Sequence, residues 1–324
     1  MPIRIAYHAP QSDDATSWYR CLGPLSDLAS QGHVTYRSLA DIGWHTLIDI
    51  DVVFLQRPYR DIDVDIMKAC KALNVKVWVD FDDNHLHVDN LNPRADIYGA
   101  KHAGLWSYFT EQSDILTLST QPLKDSIGRM DAHVVRNTMP LRWWQAWSPR
   151  PDVCSDIVYW RGGKSHFQDW LVYREPLTRV NMQDYELHMM GEISGRVRKS
   201  FPAMHMESPK SLLSYYTHVR SLAPRVTIVP LKDTVFNRSK SDIAWLEAVL
   251  LCGGIAVTPM LPEWLDRPGT VPYEGPGDFA DAVERAMQLE YKQANIDAMK
   301  WLNQHRHPQQ RLDQLKEILD EAIT

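Results

Sequence analysis

The stretch that most constrains this chain runs from Thr227 to Pro259, TIVPLKDTVFNRSKSDIAWLEAVLLCGGIAVTP. Two short apolar runs rich in β-branched residues, Thr227 to Pro230 and Ile255 to Thr258, have the length and unbroken hydrophobicity of strands buried on both faces. Between them the spacing predicts a helix of roughly three to four turns. Ser239 is the expected N-cap, with Asp242 three residues on, and Gly253-Gly254 the left-handed stop. Strand, polar loop, helix and strand in immediate succession form a parallel crossover, which commits the chain to an α/β fold.

Lys240 and Glu247 are seven residues apart, which on a helix sets them on one face, separated by roughly 10 Å along the axis. A cation beside the unpaired N–H groups of a helix start suits a diphosphate. A carboxylate two turns on suits a ribose diol. The plainer reading of the same spacing is a solvated face carrying an ordinary charged pair.

The rest of the chain repeats the alternation. Ile3 to His8 reads as a first strand, followed by a polar loop, Gln11 to Ser17, and a helical pattern ending at Gly32. Asp51 to Leu55, Val75 to Asp80, Ile115 to Ser119 and His133 to Arg136 read as further strands. Ligands of a doubly wound sheet sit beyond the carboxyl ends of its strands, where this chain carries Arg57, Asp80 to Asp83, Thr120 and Asn137. Pro140 to Pro151, dense in Trp, Arg and Pro, reads as a hinge, after which the IVYW strand feeds Arg161-Gly162-Gly163-Lys164. Glycines there let backbone N–H groups approach a phosphate, and Arg161 or Lys164 adds charge. Tyr185 to Met190 is another strand, the basic run Arg196, Arg198, Lys199 reads as a solvated helix face, and Asp278 to Leu289 and Leu312 to Ile323 have helical spacing. The expected division is residues 1–140, a hinge at 141–152, a second half at 153–295, and terminal helices at 296–324.

A formal charge of −6 argues against a general nucleic-acid coat, though not against a local basic cleft. Four scattered cysteines with no C-x-x-C pair predict a reducing compartment, no disulfides and no structural zinc. No apolar run is long enough to span a bilayer, and the start lacks a cleavable leader, so a cytoplasmic protein, monomer or homodimer, is expected. Several of the 12 tryptophans neighbour arginines, which suits packing between halves or stacking on sugars or bases.

The run FNRSKSDIAWLEAVLLCGGIAV resembles the donor-binding segment of GT-B glycosyltransferases of the family 4 type, in which N-x-x-K-S-x-x-K-x-L-E-x-x-x-x-G-x-P-V grips a nucleotide sugar. Asn237, Lys240, Ser241, Leu246, Glu247 and Gly253 match it; Ser239 stands where many such enzymes carry a sugar-binding Glu, and Ala244 replaces the second Lys. Trp160 to Asp169 is similar to the family's glycine loop, W-x-G-G-x-x-H-x-x-D, which includes His166. Tyr19-Arg20, Gln56-Arg57, Asp80-Phe81-Asp82-Asp83, Ser119-Thr120 and Asn137 follow the order of similar segments in the family's acceptor half.

The resemblance implies two Rossmann-like domains with parallel sheets facing across a cleft. It implies sugar transfer from a nucleoside diphosphate, UDP being the expected nucleotide, to an acceptor hydroxyl with retention and without cofactor. Arg161, Gly162, Gly163, Lys164, His166, Asn237, Ser239, Lys240, Ser241 and Glu247 become the donor side; Tyr19, Arg20, Arg57, Asp80 and Thr120 the acceptor side; Lys240, Asp82, Asp83 and His85 the catalytic candidates. The acceptor stays open between a lipid-linked glycan, a protein, a small molecule and a modified DNA base, a hydroxymethylated base among them. Asp80, Asp82 and Asp83 with His85 and His87 also have the alternation of a metal site, but the resemblance implies none. A GT-B binding module with a degenerate site, or a nucleotide-sugar isomerase, are the alternatives.

Overall fold

The computed structural model describes the whole chain except residues 10–13, 42–43, 89–91, 93–94, 96–99, 147–153, 163–165, 192–198 and 209. Twelve described strands form two six-stranded sheets, every pair parallel. The first contains β1 (Ile3–His8), β2 (Val34–Ser38), β3 (Val52–Gln56), β4 (Lys76–Phe81), β5 (Ile115–Leu118) and β6 (His133–Val134), in the order β2-β1-β3-β4-β5-β6. The second contains β7 (Ser155–Trp160), β8 (Glu186–Met190), β9 (His205–Glu207), β10 (Pro224–Ile228), β11 (Ile255–Pro259) and β12 (Thr270–Tyr273), in the order β12-β11-β10-β7-β8-β9. In both sheets the order reverses once, between β1 and β3 and between β7 and β10. Such reversals leave a crevice beyond the carboxyl ends of the strands.

The central strands are buried throughout, as sheets covered on both faces require: β3, β5 and β11 have no exposed residue. The sequence reading missed β2, β9 and β12 because they are edge strands, short or half-exposed, with weak apolar runs. The terminal helix Pro308–Ile323 packs Leu312, Leu315, Ile318 and Leu319 into the first half, against Ile5, Leu25 and Leu28. Of the hinge stretch, Leu141–Ala146 is helical and 147–152 lie outside the described residues. Arg196 and Arg198 also lie outside them.

The crossover of the second half differs from its expected form. Val235–Arg238 is a short helix of its own, and the main helix starts at Ile243, running through Glu247 into a π-helical turn, Ala248–Cys252. Ser239 is therefore not its N-cap; Asp242 holds that position, with its carboxylate committed to Arg267 and Arg306 instead of the helix start. Lys240 precedes the helix, so it shares no helix face with Glu247. The two glycines at the far end have separate causes: Gly253 takes φ +76° as the stop, and a Cβ on Gly254 would lie 2.3 Å from the Arg225 carbonyl of the neighbouring strand.

Candidate active site

The carboxyl ends of both sheets open onto one cleft of about 530 Å³, within the range of small-molecule sites. The two arginines that follow strands bordering the reversals both line it: Arg57 after β3 and Arg161 after β7. From the first half the lining also takes Tyr19, Arg20, Asp82, Asp83 and His85, and from the second His166, Lys240 and Ser241.

Lys240 faces the cleft with its Nζ 3.4 Å from Asp83 Oδ2 of the other half and 4.4 Å from the Phe236 ring centroid. Neighbouring contacts close the same seam. Asn137 Nδ2 donates to Ser241 Oγ at 2.8 Å, and Thr120 Oγ1 donates to the Ser239 carbonyl at 2.8 Å. Further along, Arg136 pairs with Glu263 at 3.1 Å. The loop that carries Lys240 is thus held by the first half as well as by its own.

The three aspartates after β4 have different surroundings. Asp80 is buried, gripped by Arg20 at 2.6 and 3.0 Å and by the Thr117 hydroxyl at 2.6 Å. Asp82 binds Arg57 through both carboxylate oxygens, and although burial opposes its charge, Arg57 holds its pKa below the usual carboxylate range. Arg57 in turn donates to Thr16 at 2.7 Å. Asp83 meets Lys240 and has its carboxylate partly exposed to the cleft. His85 is buried against Phe81, His102 and Trp106, and that burial, with Arg57 nearby, pushes its pKa well below 6.5, so it is a neutral imidazole. Asp80 and Asp82 are therefore neutralised by guanidinium groups. Among the described residues this cluster does not bring three metal-ligating atoms together.

Several residues expected at the site lie behind its wall. Glu247 is 3% exposed, and its carboxylate accepts from Tyr19 OH at 3.1 Å, Arg161 Nε at 2.9 Å and Tyr215 OH at 3.0 Å. Tyr19 OH also meets Tyr216 OH. Asn237 is buried with its amide on Asp169 (3.2 Å) and the Lys232 carbonyl (2.9 Å), so it shapes the loop from inside. Ser239 is 2% exposed with its hydroxyl on the Val235 carbonyl, too enclosed to reach a sugar from this position. Thr120 caps the helix Gln121–Ile127 and clasps Ser239, and Asp80 serves to orient Arg20. His166 lines the cleft with Nδ1 3.1 Å from Asp169; burial lowers its pKa despite that partner. Gly162 is half-buried, and Gly163 and Lys164 lie outside the described residues.

Sequence reasoning missed Asp14, Thr16 and Trp264, which also line the cleft. Asp14 caps Ala15–Ser17 with Oδ1 2.6 Å from the Ser17 N–H, and a D-A-T-S start after a strand was a legible cap signal. Trp264 carried no local sign of its place.

No family model matches the chain, and no curated protein matches it in sequence. Solved structures do match. Anabaena Alr3699/HepE in complex with UDP-glucose superimposes with a TM-score of 0.71 at 10% identity, covering 98% of this chain and 100% of that one. A glycosyltransferase from Rickettsia africae gives 0.68 at 12% identity over 100% and 99% of the two chains. An α-glucosyltransferase in complex with UDP and a 13-mer DNA gives 0.66 at 12% identity over 100% of both. The chain has the fold of the GT-B glycosyltransferases, two Rossmann-like domains with parallel sheets.

Proposed function

We propose that the protein is a glycosyltransferase that takes a sugar from a nucleoside diphosphate, UDP being the favoured nucleotide, and attaches it to an acceptor hydroxyl. The observation that carries the reading is the meeting of Lys240 and Arg161 with Asp83, Arg57 and His85 across one cleft at the reversals of both sheets. Neighbours of the same fold bind UDP or UDP-glucose in the solved complexes named above. In the reaction the bond from the anomeric carbon to the diphosphate oxygen breaks and a bond to the acceptor oxygen forms. The acceptor's proton leaves, and the diphosphate departs with one more negative charge.

Lys240 and Arg161 oppose that charge. A cation about 4 Å from a phosphate oxygen contributes roughly 4 kcal/mol at an effective dielectric of 20. Because such charge grows in the transition state, part of the effect appears in turnover. Asp83 is the carboxylate open to the cleft and is the candidate for receiving the acceptor proton, whereas Asp82 is bound to Arg57 and kept ionised. Neutral His85 and the Arg57–Asp82 pair shape the acceptor side. Retention of configuration is our reading from the resemblance in the donor segment. A hydroxymethylated DNA base is one acceptor to test, motivated by the Trp and Arg content of the chain and by the DNA-bound neighbour.

The alternative of a degenerate binding module is favoured by one feature, the burial of Ser239 at the position of a sugar-binding Glu. A donor and acceptor screen read by mass spectrometry decides between them. Donor hydrolysis or a glycosylated acceptor supports transfer; nucleotide binding without turnover of any donor supports the module.

A further inference from the structure

The outer edge of the second sheet carries a cluster unrelated to the cleft. Glu186 and His188 are two residues apart on β8, hence on the same face, and His205 on β9 is the direct cross-strand partner of His188. Their rings stack with centroids 4.5 Å apart and planes 15° from parallel. Both present Nε2 to one carboxylate oxygen: Glu186 Oε2 lies 2.9 Å from His188 Nε2 and 3.7 Å from His205 Nε2. Three ligand atoms lie within 4.8 Å of one another, and among the described residues no other group of His, Cys, Asp or Glu does so.

We propose that Glu186, His188 and His205 bind a divalent transition-metal ion, zinc(II) being the best match. Two imidazoles and one carboxylate are ligands for zinc, cobalt or nickel rather than magnesium or calcium. Tetrahedral zinc with bonds of 2.0 to 2.2 Å sets its ligand atoms roughly 3.3 Å apart. The carboxylate-to-imidazole separations, 2.9 and 3.7 Å, straddle that value, and the ligand nitrogens of the two imidazoles lie within 4.8 Å of each other, so the set closes when the stacked imidazoles rotate until their nitrogens converge on the ion. The paired backbones of β8 and β9 fix the Cα positions, so binding has only the side chains to order. Glu207, two residues beyond His205 on the same face, adds negative charge; it pairs with His218 and Lys210, both at 2.8 Å. One or more waters complete the coordination, as three protein ligands leave it open.

The test is calorimetric titration of zinc chloride into the full chain, without a polyhistidine tag and in a non-chelating buffer. One saturable ion per chain is expected, weakened at least tenfold in His205→Ala and in Glu186→Gln. Those side chains are 56% and 62% exposed, so the variants should fold. His305→Ala, whose exposed ring stacks on Trp301, should bind as the parent does. Absence of a saturable ion, or equal affinity in His205→Ala, overturns the proposal, and neither result bears on sugar transfer.

Discussion

Lys240 Nζ lies 3.4 Å from Asp83 Oδ2, so the cation offered by the second half meets a carboxylate offered by the first. This pair competes with an incoming diphosphate for the lysine. Asp83→Asn removes the competitor and leaves the lysine, and should tighten UDP binding several-fold while lowering transfer, if Asp83 receives the acceptor proton. Titration with UDP and turnover of the preferred donor check the two halves; unchanged affinity and unchanged turnover would remove Asp83 from the site.

Glu247 is embedded among Tyr19, Tyr215 and Arg161, one of them from the opposite half. Removing one partner of a buried ion pair leaves the other uncompensated, a loss of about 3 kcal/mol. Glu247→Ala should therefore lower stability by that order, read as an earlier midpoint in urea, and Glu247→Gln by less. A folded Glu247→Ala with unaltered midpoint would show that Arg161 finds another partner.

Five imidazoles, on His85, His102, His133, His166 and His218, are held below their usual pKa, burial being the main cause in each, and His102 is pushed down to about 4. Unfolded histidine titrates near 6.5, so from there downward the unfolded chain binds more protons than the folded one. Stability should therefore fall as pH drops from about 6.5 towards 4, with His102 alone accounting for about 3 kcal/mol over that range. Melting temperatures measured at several pH values give the slope, and His102→Phe should make it shallower; a parallel slope would contradict the assignment.

The central strands were legible because burial on both faces demands unbroken apolar runs, and β3, β4, β5, β7 and β11 carry them. Which loop residues reach the cleft was less legible. Ser239, Lys240 and Ser241 are consecutive polar residues, yet the first is buried, with its carbonyl accepting from the Thr120 hydroxyl of the other half, and the next two line the cavity. Glu247 was placed by helical periodicity on a face with Lys240, but that helix starts only after Asp242, whose carboxylate is held by Arg267 and by Arg306 from beyond the second sheet. Contacts between residues far apart in the chain leave no periodic trace.

Transfer should survive chelation. Asp80 and Asp82, the carboxylates with metal-like spacing, are occupied by Arg20 and Arg57. EDTA should leave the initial rate unchanged, even where it strips an ion from the Glu186, His188 and His205 cluster. Loss of activity restored by magnesium or manganese would transfer those aspartates to a metal role.

The central claim is that Lys240 holds the diphosphate of a nucleotide donor at this cleft, and calorimetric titration with UDP of the parent protein and of Lys240→Ala tests it most directly. The parent should bind one UDP per chain and Lys240→Ala at least tenfold more weakly, about 1.4 kcal/mol. Lys240→Arg should recover only part, because a planar fork does not replace a compact ammonium beside Phe236. Equal affinity in a folded Lys240→Ala would contradict the account, and Lys240 would then be no more than a surface cation paired with Asp83.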